Sequence, residues 1–207
     1  MFLLTRTPDD SFIYGDLTLH VDMSFNNVLL VFELFEDNSF SNYDKAMITL
    51  EMLVYEYEDI LENLSFEKKL EVFGYVLKEF LGIDINEGSQ SNQGSSKKTT
   101  DWSKDAGLIY ASFMSEYKID LFAEHGRMHW DVFTVLLSNL NEKTPFKQVV
   151  NYRTMEIPST KKVSEEYRKH VIEMKEKYSL EDIQNKTESL ENKLDSVAST
   201  FGGGGGR

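Results

Sequence analysis

The chain has 207 residues, a formal net charge of −13 and no cysteine. The missing cysteines exclude a disulfide scaffold, a thiol nucleophile, an iron–sulfur site and a cysteine zinc site. The acidity argues against general affinity for nucleic acid or anionic membrane, where phosphate binding is largely electrostatic. Hydrophobic residues make up 41% and aromatic residues 13%, enough for one domain or two small ones with a packed core.

Polarity returns soon after the apolar opening Phe2 to Leu4, so the N-terminus does not read as a signal peptide. The longest wholly apolar run, Val28 to Phe32, is far short of a membrane span. A soluble, intracellular protein is expected.

Leu17, Leu19 and Val21 alternate with Thr18, His20 and Asp22, the period of a half-buried strand. Together with Phe12 and Tyr14 they predict a small hairpin turning near Gly15-Asp16; an irregular arm is the alternative. Phe25, Val28, Leu29 and Phe32, with Leu30, Val31 and Leu34 on other faces, predict a buried helix. Ala46, Met47, Leu50, Leu53, Val54, Tyr57, Leu61 and Leu64 keep helical spacing without a break, so one acidic helix is expected there. Ser65 caps a third, with the stripe Phe66, Leu70, Phe73, Leu77 and Phe80. Gly82 followed by Ile83 predicts a left-handed stop.

Residues 86–100 carry no apolar side chain and read as a flexible linker or surface loop. Beyond them Trp102, Ala106, Ile109, Tyr110, Phe113 and Tyr117 form a fourth stripe. A fifth runs from about Gly126 to Leu140. Thr144-Pro145 starts a short sixth helix ending near Tyr152. Ser164 opens a seventh, through Tyr178. Trp102, Tyr110, Phe113, Trp130 and Phe133 are assigned to core packing.

Leu180, Ile183, Thr187, Leu190, Leu194, Val197 and Phe201 are spaced alternately three and four apart, a heptad seam over about three repeats. An isolated helix of this length is marginal in water, so the seam wants a partner. Another copy, a different protein or the chain's own body would serve, with Ile183, Leu190, Leu194 and Val197 at the interface. The expected architecture is mainly α: about seven helices, a small N-terminal β-hairpin and a projecting C-terminal helix. The expected division is 1–85, a linker at 86–100, a helical half at 101–178, the heptad helix at 179–201 and a disordered glycine tail at 202–207.

Catalytic signatures are sparse. His125 and His129 are four apart, but Glu124-His-Gly-Arg-Met-His129 lacks the His-Glu-x-x-His order that places a general base beside a metal. No nucleophile elbow and no glycine-rich phosphate loop occurs. We expect no catalytic, cofactor or metal site; a metal-dependent nuclease or hydrolase at His125 and His129 is the reading from another class. Charge is unevenly spread. Residues 25–87 hold 14 acids against 4 bases, whereas bases outnumber acids between Pro145 and Lys177.

Two stretches carry a family resemblance: Met1 to Pro8, and Trp102 to Ile157. The second includes Ile109 to Leu121, Met128 to Leu137 and Tyr152-Arg-Thr-Met155. Together they resemble small phage proteins of Gram-positive hosts encoded between the major tail protein and the tape-measure protein. Proteins in that position look like tail assembly chaperones. The resemblance implies a non-enzymatic protein in the cytoplasm of the infected host. It would bind the tape-measure protein, keep it soluble, help recruit major tail protein subunits and self-associate, using no cofactor, nucleic acid or membrane. The alternative is a structural tail or head–tail connector protein retained in the virion. The matched core leaves out the heptad segment and the glycine run at 202–206. That run marks either a ribosomal frameshift tract, as in related tail genes, or a flexible end or cloning remnant.

Overall fold

A computed structural model describes residues 5, 7–84, 99–159 and 163–180. Among them are seven α-helices and one antiparallel hairpin: β1 (Ser11–Tyr14), β2 (Leu17–His20), α1 (Phe25–Glu36), α2 (Asn42–Leu53), α3 (Phe66–Leu81), α4 (Ala106–Tyr117), α5 (Trp130–Ser138), α6 (Pro145–Thr154) and α7 (Glu165–Lys177). The fold is mainly α, as expected. No helix among the described residues is long and apolar enough to cross a membrane. The heptad seam beyond Leu180 and the linker at 86–98 lie outside the described residues.

The chain divides into two compact units. In the first, Gly15 at φ 61° turns the hairpin, pairing Phe12 with Leu19 and Tyr14 with Leu17. Phe12 and Leu19 face a core that also takes Val28, Val31 and Phe35 of α1, Leu50 and Leu53 of α2, and Val72, Phe73, Val76 and Leu77 of α3. Each fully buried side chain of this size is worth roughly 1.5–3 kcal/mol.

Local signals set the helix ends. Ser41 and Asp44 form a reciprocal capping box at the start of α2, a device worth about 1 kcal/mol. Gly82 stops α3 at φ 69°, and the Ile83 N–H closes back on the Leu77 carbonyl at 2.9 Å. Pro145 opens α6.

One expected element is corrected. The unbroken helical spacing from Ala46 to Leu64 does not make one helix. α2 ends at Leu53, Val54 pairs with Val21 as a β-bridge, and the chain then turns into a 3-10 segment at Leu61–Asn63. Val54 and Leu61 are buried, so their apolar character serves sheet pairing and turn packing instead of a helix stripe.

His125–Phe133 joins the first unit. Its chain bridges Ser24 to His129, and the Trp130 N–H reaches the Met23 carbonyl at 2.7 Å. Phe133 stacks on Phe25, with ring centroids 4.8 Å apart. α5 therefore begins at Trp130, later than the expected Gly126, which instead sits in the left-handed region at φ 68°.

The second unit holds α4, α6, α7 and the rest of α5. Ile109, Phe113, Leu121, Leu137, Leu140, Phe146, Val149, Val171 and Leu180 are its buried apolar residues. α4 starts at Ala106, after a turn in which Asp105 accepts the Asp101 N–H, so the stripe residue Trp102 precedes the helix. Of the five aromatics assigned to the core, Phe113 and Phe133 are buried; Trp102, Tyr110 and Trp130 are half-buried.

Candidate interaction surfaces

Ile183, Leu190, Leu194 and Val197, the interface residues expected from the heptad seam, lie outside the described residues. Within the described residues, two histidine–carboxylate pairs and the apolar displays around the three most exposed large apolar side chains, Ile13, Tyr55 and Phe122, are candidates to meet a partner or do chemistry.

His129 is fully engaged. Its Nδ1 accepts the Asp131 N–H at 3.0 Å, so the ring proton sits on Nε2, which donates to Asp10 Oδ1 at 2.8 Å. The Nδ1 lone pair is thus committed to the α5 N-terminus, and the pair ties the start of β1 to the start of α5. His125, four residues earlier, is exposed with its ring edge toward Phe25 at 5.6 Å. The two rings thus have different partners, Asp10 and Asp131 for His129 and Phe25 for His125. Among the described residues no three His, Asp or Glu side chains group as a metal site.

His20 makes the second pair. Its Nδ1 lies 2.6 Å from Glu56 Oε1, and its backbone N–H donates to Oε2 at 2.8 Å. Burial pushes the Glu56 carboxyl up, but the hydrogen bonds from the His20 backbone and ring outweigh it and hold the group below the ordinary carboxylate range.

The hairpin's outer face is the first apolar display. Side chains alternate across a strand, so Phe12 and Leu19 face the core while Ile13, Thr18 and His20 face outward. The bridge of Val21 to Val54 extends this face. The Tyr55 N–H donates to the His20 carbonyl at 3.1 Å and the Asp22 N–H to the Leu53 carbonyl at 2.7 Å, which sets Tyr55 beside His20. Ile13 is 76% exposed and Tyr55 71%. Burial of part of the Tyr55 ring raises its hydroxyl pKa, and the charges of Asp22 and Asp10 raise it further.

The second display belongs to the second unit. Lys118 ends α4 in the left-handed conformation, and Asp120 Oδ1 then accepts the Phe122 N–H at 3.0 Å. The same carboxylate accepts the Tyr110 hydroxyl at 3.3 Å. This turn holds Phe122 outward, 70% exposed, with its ring centroid 5.1 Å from that of Tyr110.

Sequence reasoning missed both displays. Ile13 had a usable signal, since alternation with Phe12 places it on the opposite face. Tyr55 had none, because its segment reads as helix. Nor does spacing distinguish Phe122 from a core aromatic.

The family model described as "Bacteriophage Gp15 protein" matches residues 9–180, which covers most of each unit. No curated protein and no solved structure gives a match.

Proposed function

We propose that this chain, which belongs to the bacteriophage Gp15 protein family, is a non-enzymatic tail assembly chaperone. It binds the tape-measure protein, keeps that long chain soluble and helps recruit major tail protein subunits, acting in the cytoplasm of the infected host and needing no cofactor. The family match over 9–180 supports a phage assembly or structural protein, and the finer reading rests on the resemblance of the stretch from Trp102 to Ile157 to proteins encoded beside the tape-measure gene. The surface suits the role. An acidic body keeps a coated complex dispersed, while outward aromatic and aliphatic side chains offer contacts to apolar helices.

A chaperone leaves the finished particle and a connector stays. Mass spectrometry of purified virions tests this: the chain should be missing from particles yet abundant in the infected-cell lysate. A fixed number of copies per virion would overturn the chaperone reading in favour of a structural tail or head–tail connector protein.

A further inference from the structure

We infer that the outer face of the hairpin sheet, centred on Ile13 and Tyr55, docks a cationic amphipathic segment, with Lys or Arg flanking apolar anchors. This deepens the chaperone reading, on which it rests for the identity of the client in the cell.

Three observations converge. The two most exposed large apolar side chains among the described residues of the first unit lie on one continuous face. Ile13 stands opposite Thr18, Thr18 is two residues from His20 along β2, and His20 stands opposite Tyr55. The surface is anchored from beneath: Phe12 and Leu19 pack its underside into the core and Tyr14 hydrogen-bonds to Glu71 of α3 at 3.0 Å. Its charge is mainly acidic: residues 7–24 and 53–64 contain eight carboxylates and no Lys or Arg of their own, and the Lys69 ammonium reaches this segment at the Glu62 carbonyl and over the Tyr57 ring. Asp10 and Asp22 are close enough to raise the pKa of the Tyr55 hydroxyl. His20, the cationic candidate on the face itself, is held by Glu56.

Tyrosine is a preferred anchor at interfaces, giving large contact area at low entropic cost. A carboxylate rim around such an anchor selects against anionic partners and steers cationic ones. A second copy of this face would bring the same acids against each other, which disfavours isologous pairing.

The test uses the full-length chain and a fluorescein-labelled Leu/Lys amphipathic helix of about 18 residues, with a Leu/Glu twin of the same pattern. The Leu/Lys peptide should bind, and binding should weaken as salt rises. The double variant Ile13→Ser with Tyr55→Ser keeps the net charge, so general electrostatic attraction persists; its affinity should still fall at least about tenfold. Phe122→Ser should bind like the unaltered chain. Amide NMR shifts at Ile13 and Tyr55 on titration report the contact without any substitution.

Equal binding by the double variant, preference for the Leu/Glu twin, or shifts confined to other residues would overturn the inference. So would a dimer of the unaltered chain that the double variant abolishes. Failure here is distinguishable from failure of the chaperone reading. A tape-measure protein kept soluble by the double variant removes this face from the client contact and leaves the chaperone standing. Peptide docking without any effect on the tape-measure protein does the reverse.

Discussion

Arg153 of α6 grips Asp105, at the entrance to α4, with both arms of its guanidinium: Nη1 donates to Oδ2 at 2.6 Å and Nη2 to Oδ1 at 2.7 Å. The pair is buried, with side-chain exposures of 8% and 1%. Two further carbonyls accept from the guanidinium, Thr99 at 2.8 Å and Tyr178 at 2.7 Å. One side chain thus pins α4, α6 and the chain after α7 together. Bidentate geometry, with four of the five guanidinium N–H donors engaged, is what makes this buried ion pair tolerable.

Removing one partner leaves the other charge buried and unpaired. Arg153→Met should therefore destabilise the second unit by about 3–5 kcal/mol. Arg153→Lys should recover only part of that loss, because an ammonium cannot reproduce the fork. Urea denaturation followed by circular dichroism measures both; a loss under about 1 kcal/mol for Arg153→Met would contradict the anchoring role.

Basic side chains from neighbouring elements also close helix C-termini whose own last turns carry none. Lys45 of α2 is buried and donates to the Phe35 carbonyl of α1 at 2.8 Å, and Lys147 donates to the Ser138 carbonyl of α5 at 2.7 Å. Lys45→Met keeps the volume and removes the donor. It should cost about 1–3 kcal/mol, read as a lower urea midpoint. An unchanged midpoint would mean that the buried ammonium contributes nothing net.

Thr49 presents the opposite case. It is fully buried in α2, and its Oγ1 has no hydrogen-bond partner among the described residues. Thr49→Val is nearly the same shape without the hydroxyl, so the first unit should gain roughly 1 kcal/mol. A rise in the thermal midpoint supports this; a fall would show that the hydroxyl is satisfied in solution.

The Glu56 carboxyl is held below its ordinary value of 4.5. A depressed folded pKa gives stability that is present above 4.5 and lost as pH falls through the folded value. The clip between Glu56 and the hairpin should therefore loosen only in acid. His20→Ala removes the ring bond but keeps the backbone N–H, so the Glu56 midpoint should rise part of the way in a carboxyl NMR titration. No rise would mean that the ring does not stabilise the carboxylate.

Helix ends written in single residues were legible in the sequence. Gly82, Pro145 and Ser164 act through local backbone chemistry, while Ser65 holds the N-cap position of α3 without a side-chain bond to the backbone; α3, α6 and α7 follow these residues closely. The break at Val54 was not legible, because its cause is a partner 33 positions earlier, Val21. The late start of α5 has the same origin in the pairing of His129 with Ser24. Spacing reports which residues are apolar, and long-range pairing decides what their burial builds. The interaction faces were harder still to read, since exposure of Tyr55 and Phe122 depends on turns that only the folded chain defines.

Co-expression of this chain with the tape-measure protein of the same phage, followed by size-exclusion chromatography with light scattering, tests the central claim most directly. The account predicts a soluble complex with several copies of this chain per tape-measure protein, and an insoluble tape-measure protein when expressed alone. Charge-introducing replacement of Leu190 and Leu194 by Asp in the same assay reports whether the heptad seam is part of that contact. A tape-measure protein that stays insoluble while this chain elutes unbound would contradict the account.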